Sequence, residues 1–245
     1  MNEELPNKLI VSGKVIETFS YEKMPVKDPI SQKRNCIRRT FRDYNLYPDT
    51  SSSRNKNSLR RSRMAIVRLA NSNSDLTKFV TLTFQDKKID LGETNYEFNK
   101  FIHRLRYLNG NDLKYIAVPE YQKREAIHYH LLLNVGYIYH QKLFSTWGHG
   151  FVKIKKIGNI HNLGLYISKY LRRDSVNSQL FGRRSYFTSQ NINKPIVYGS
   201  ANSRDASEVR EIWENFKLYE ISPIYDTIYD TKYRGKVHYR KYVII

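Results

Sequence analysis

Phe79 to Phe84 (FVTLTF) alternates with period two, Val80, Leu82 and Phe84 on one side and Phe79, Thr81 and Thr83 on the other. Alternation of that kind predicts a strand with two distinct faces. Between residues 95 and 108 the period lengthens, with Phe98, Phe101, Ile102, Leu105 and Leu108 at helical intervals before Asn109-Gly110 stops the segment. Leu113 to Glu120 and Ile127 to Asn134 then read as an antiparallel hairpin around a polar loop. A short helix at His140 to Thr146, a glycine turn at Trp147-Gly148-His149-Gly150 and a basic strand from Phe151 to Ile157 follow. Next, Leu163 to Arg172 predicts a helix with Leu163, Ile167 and Leu171 as its apolar stripe. Asp205 to Glu208 caps a further helix carrying Val209, Ile212, Trp213 and Phe216, and the chain then turns tyrosine-rich. Towards the amino terminus, Leu9 to Phe19 predicts one or two strands, Lys23 to Ser53 has no firm period, and Asn57 to Leu69 predicts a basic amphipathic helix.

Together these elements predict an α+β fold with a central antiparallel sheet of about five strands and flanking helices. The expected division is a basic amino-terminal extension (1–74), a core (75–200), and a carboxy-terminal helix and tyrosine-rich tail packed on that core (201–245).

Two positions in this pattern carry candidate chemistry. On a strand, His128 and His130 leave the same face while Tyr129 points away, and two neutral imidazoles so placed can share a divalent cation. On a helix, Tyr166 and Tyr170 lie one turn apart on one face, with Lys169 beside Tyr166. If Val118 pairs with His130, Glu120 falls opposite His128 and is the third-ligand candidate; the alternative is a strand-end carboxylate paired with Lys123 or Arg124. Glu125, in the loop, is a weaker alternative ligand. The competing account of both clusters is ordinary packing and hydrogen bonding.

Charge narrows the partner. The 245 residues hold 42 Lys and Arg against 23 Asp and Glu, a formal net charge of +19, which suits a polyanion. Residues 33 to 68 concentrate that excess, with eleven Lys or Arg and two acids. Arg60, Arg61 and Arg63 are candidate phosphate contacts there, as are Arg172 and Arg173 after the tyrosines. No apolar run approaches the length of a spanning helix and Met1-Asn2-Glu3-Glu4 does not open a secretory signal, so no membrane partner and a cytoplasmic location are expected. Cys36 is the only cysteine, which excludes an internal disulfide and a thiolate zinc site.

FVTLTF, PEYQKREAIHYHLLLN, WGHGFVKIKKI and LGLYISKYLRR, in that order, resemble the motifs of the HUH endonuclease superfamily. They are most similar to those of the two-tyrosine, phage-type rolling-circle replication initiators, over roughly residues 76 to 175. The resemblance implies an RRM-like antiparallel sheet and a Mg2+ or Mn2+ ion held by His128, His130 and Glu120. It also implies Tyr166 and Tyr170 as alternating nucleophiles with Lys169 between them, acting on single-stranded DNA at a replication origin. No GxxxxGK phosphate loop occurs, so unwinding would fall to a host helicase. A transposase or relaxase would share this chemistry, and a sheet-based nucleic-acid-binding protein would share the composition without the catalysis.

Overall fold

The structure is a computed structural model that describes residues 5–24, 48–86, 90–121, 126–157, 163–171, 184–199 and 203–244, the side chains at 48–56 and 203–206 excepted. It is α+β, built from two compact units: residues 40–193, and residues 1–39 together with 194–245.

In the unit spanning 40–193, five antiparallel strands run in the order β6-β3-β5-β4-β7. They are β3 (Lys78–Thr83), β4 (Tyr115–Tyr121), β5 (Ile127–Leu133), β6 (Val152–Lys156) and β7 (Phe187–Thr188). Both faces of this sheet are covered. Against one face lie α2 (Leu91–Asn109) and α3 (His140–Trp147), which bury Phe98, Phe101, Leu105 and Trp147 against Val80, Leu82, Tyr129 and Leu131. The start of α2 is set by Asp90, whose carboxylate accepts from the Glu93 backbone N–H at 2.7 Å. Against the other face lie α1 (Pro48–Asn71) and α4 (Leu163–Ser168), through Ile66, Leu69 and Ala70 of the first and Ile167 of the second. Their sheet partners are Phe79, Ile116, Val118 and Leu132.

The second unit has its own five-stranded antiparallel sheet, ordered β8-β1-β2-β10-β9. Its strands are β1 (Lys8–Ser12), β2 (Val15–Tyr21), β8 (Ile196–Tyr198), β9 (Tyr225–Thr231) and β10 (Gly235–Val243). Helix α5 (Ser203–Asn215) places Val209 and Trp213 against Leu9, Ile16 and Tyr242.

These units divide the chain at 39/40 and 193/194, where the sequence pattern suggested 74/75 and 200/201. Residues 1–74 are not one extension, since β1 and β2 pair into the sheet of the carboxy-terminal strands whereas α1 covers the 40–193 sheet. The tyrosine-rich tail forms strands β9 and β10 of that separate sheet. Among the described residues, no helix is long and apolar enough to cross a membrane.

Candidate active site

Strand register assembles the first half of the site. In the β4–β5 pair Val118 lies opposite His130 and Glu120 opposite His128; in the β3–β5 pair Thr81 lies opposite His130 and Thr83 opposite His128. Because side chains alternate along strands, both histidines, Glu120 and both threonines share the face covered by α1 and α4. Position 120 thus has the register on which its candidacy depended.

Two of these groups are buried. His130 is 4% exposed and Glu120 5%, on a face otherwise filled by Ile116, Val118 and Leu132, where an unpartnered carboxylate or imidazole would be costly. They satisfy each other: His130 Nε2 lies 2.8 Å from Glu120 Oε2, and His130 Nδ1 lies 3.2 Å from Thr81 Oγ1. With Nε2–H donating to the carboxylate, Nδ1 is left facing the threonine hydroxyl. His128 is only half-buried, yet burial, with His130 adding to it, lowers its pKa to about 4. Its imidazole is therefore neutral at pH 7, with a lone pair available.

The tyrosines arrive from α4, whose approach depends on a glycine. A Cβ on Gly164 would stand 2.5 Å from Val67 Cα, so only a residue without a side chain lets α4 lie this close to α1. The helix ends at Ser168, earlier than the expected Arg172. Past it the chain tightens, with Tyr170 N–H donating to the Ile167 carbonyl and Leu171 N–H to that of Ser168. Tyr170 consequently sits on a turn, but it stays beside Tyr166: ring centroids are 6.0 Å apart and the two hydroxyls 3.5 Å.

This turn covers the histidine face. The Tyr170 ring stacks on His130 with 3.6 Å between centroids and 16° between planes. Phe79 packs against both tyrosines, at 5.0 Å from Tyr166 and 5.8 Å from Tyr170. The Lys169 ammonium lies 3.8 Å from the Tyr166 ring centroid and 5.2 Å from that of Tyr170. Side chains from three strands and one helical turn thus meet in one cluster, although 36 residues or more separate the histidines from the tyrosines in sequence.

The expected arginines divide. Arg60 and Arg61 are exposed on α1, but Arg63 directs Nε and Nη2 to the Leu171 carbonyl at 3.1 and 2.5 Å. Its fork holds the end of the tyrosine turn. Arg172, Arg173 and Glu125 lie outside the described residues. Three other histidines, His140, His149 and His238, are bonded to the Val152 carbonyl, Glu97 and Asp226 respectively. Sequence reasoning missed Thr81 and Phe79 as members of the site, although both stood with Thr83 on one side of the FVTLTF alternation.

In donor chemistry, a neutral imidazole at His128, a second imidazole at His130 and the Glu120 carboxylate suit a divalent cation. Among the described residues, no three His, Cys, Asp or Glu side chains converge as a ready metal cage, and Glu120 and His130 are bonded to each other. Thr81 is placed to orient His130 from behind, since its hydroxyl can donate a hydrogen bond to Nδ1 or accept one from it.

Residues 77–175 match the family model of the replication-associated protein ORF2. The matched span is less than half of the chain, and it runs from the start of β3 through the tyrosine turn. It contains Glu120, His128, His130, Tyr166, Lys169 and Tyr170, and it excludes α1 and the whole β8-β1-β2-β10-β9 sheet. The match supports a Rep-type replication initiator. No curated protein and no solved structure shows significant similarity to the chain.

Proposed function

We propose that this chain is a rolling-circle replication initiator of the two-tyrosine HUH type, which nicks single-stranded origin DNA and later rejoins it. The stacking of Tyr170 on His130, with the Tyr166 hydroxyl alongside, carries the proposal. It brings two phenols to a histidine–carboxylate cluster, as attack on a phosphate requires, and the family match covers all of those groups.

In the proposed reaction one phenol loses its proton and its oxygen attacks the scissile phosphorus. The bond from phosphorus to the 3′ oxygen breaks, that oxygen takes up a proton, and the 5′ phosphate remains on tyrosine. The new ester keeps the energy of the old one, so a 3′-hydroxyl can attack it and restore the strand. A second phenol 3.5 Å away lets a regenerated junction be cut while the first tyrosine is still occupied. Lys169 places a positive charge beside the Tyr166 ring, where it can offset negative charge that develops as the phosphate is attacked. Mg2+ or Mn2+ held by His128, His130 and Glu120 would polarise the phosphate and offset the charge that develops on it. Arg60 and Arg61 contact phosphates flanking the nick, and strand separation ahead of it falls to a host helicase.

Nicking of a labelled single-stranded origin oligonucleotide in Mn2+, with and without EDTA, tests the proposal. Cleavage should require the cation, and His128→Ala should lower it by about 100-fold while DNA binding persists. Equal cleavage in EDTA would contradict the metal role.

A further inference from the structure

The β8-β1-β2-β10-β9 sheet presents a second surface that the nicking site does not use. On the face opposite α5, cross-strand register places Phe19 beside Tyr239, and Tyr21 and Tyr229 on either side of Val237. The rings form a continuous row: Tyr225 to Tyr239 at 5.8 Å, Tyr239 to Phe19 at 5.0 Å, Phe19 to Tyr21 at 6.5 Å. These rings are not fully buried. Tyr242, on the α5 face of the same sheet, is fully buried, whereas Phe19, Tyr21, Tyr229 and Tyr239 each keep part of their surface exposed and Tyr225 is 54% exposed.

Cations edge the same row. Lys8 Nζ lies 5.7 Å from the Phe19 centroid, the Arg234 guanidinium 4.0 Å from that of Tyr21, and Lys241 pairs with Tyr225 on this face. The one strand carboxylate here, Glu17, is buried and accepts the Tyr239 hydroxyl at 2.7 Å. Asp226 and Asp230 leave the other side of β9, the side of α5, which itself carries Glu208, Glu211 and Glu214. A row of part-exposed rings edged by cations matches unpaired bases, whose flat faces stack on aromatics irrespective of sequence while their phosphates meet Lys and Arg. A duplex hides those base faces, so charge alone would not select it.

We propose that this face is a second binding surface, for single-stranded DNA, which holds the strand without sequence preference. The choice of DNA over RNA rests on the replication function above; the stacking surface itself does not. The test is fluorescence anisotropy of the full chain carrying Tyr166→Phe/Tyr170→Phe, so that no strand is cut. Three labelled probes of one mixed, non-origin sequence are compared: single-stranded DNA, the DNA duplex and single-stranded RNA. Tyr21→Leu/Tyr225→Leu should raise the Kd for single-stranded DNA by at least about 25-fold, about five-fold for each ring, with duplex binding changed less than about two-fold and Tyr21→Phe/Tyr225→Phe restoring affinity. Tyr225→Leu alone, at an exposed position, gives the same reading at about five-fold and guards against a folding defect in the double variant. Unchanged single-strand affinity, or equal weakening of both DNA forms, would overturn the surface; tighter binding of RNA than of DNA would overturn its assigned occupant. Loss of nicking in otherwise wild-type protein leaves this binding result unaffected, so the two proposals fail separately.

Discussion

The two faces of the β6-β3-β5-β4-β7 sheet are built from the same three central strands and filled by opposite rules. Towards α2 and α3 the strand positions include Val80, Leu82, Tyr129, Leu131 and Leu133, and the Tyr129 hydroxyl is bonded to Thr94 and Asn95. Towards α1 and α4 the same strands offer Thr81, Glu120, His128 and His130 beside Phe79, Val118 and Leu132. A leucine or valine would fit positions 120 and 130 as the sheet pattern stands, and burial of an acid and an imidazole there costs stability that their mutual hydrogen bond only offsets. The first face holds the domain together, and the second gives up part of that stability to keep polar groups in reach of two tyrosines.

Making the faces alike should separate stability from chemistry. In Glu120→Leu/His130→Leu both buried partners become apolar, so the denaturation midpoint should stay unchanged or rise while nicking falls by about 1,000-fold or more; urea titration and a gel assay read the two effects. His130→Leu alone should be less stable, by about 1–3 kcal/mol, because Glu120 keeps its burial and loses the imidazole hydrogen bond. The opposite experiment is Leu131→Ala on the apolar face. It should cost about 2–5 kcal/mol of unfolding free energy and leave nicking per folded molecule within about two-fold. If Leu131→Ala lowered turnover as much as the polar double variant, the contrast between the faces would fail.

Smaller effects sharpen the comparison. Gly164→Ala puts a methyl against the Val67 backbone and must push α4 away from α1, so nicking should drop by about ten-fold with a stability loss of about 1–3 kcal/mol. The pH dependence should be milder. His128 binds its proton less readily when folded, about 4 against 6.5, so between those values the unfolded chain holds more protons and stability rises with pH. Its contribution is complete above pH 6.5 and is lost as pH falls through about 4. Metal-free protein should therefore show a fall in midpoint on acidification that is reduced in His128→Phe.

Local pattern made the polar face legible. FVTLTF, His128-Tyr129-His130 and the hairpin lengths placed the histidines on one face, and the conditional pairing of Val118 with His130 is the register observed. Long-range partners were not legible in the same way. Strand β2 pairs with β10 across more than 200 residues, Tyr21 opposite Val237, and no local signal distinguishes that pairing from an independent hairpin at 8–21. Arg63 looked like a phosphate contact because basic composition does not reveal that a carbonyl at position 171 will sit within reach of its guanidinium. The tightened turn at Lys169 to Leu171 was hidden for a different reason: an i, i+4 pair of tyrosines fits a full helix as well as a helix that ends between them.

The central claim is that Tyr166 and Tyr170 act on phosphate beside the His128–His130–Glu120 cluster, and peptide mapping of a trapped intermediate tests it most directly. Protein incubated with Mn2+ and a single-stranded origin oligonucleotide, then digested with protease and nuclease, should yield a 5′-phosphonucleotide adduct on the peptide carrying Tyr166 and Tyr170. Tyr166→Phe/Tyr170→Phe should yield none. An adduct on any other peptide, or one that persists in the double variant, would contradict the account.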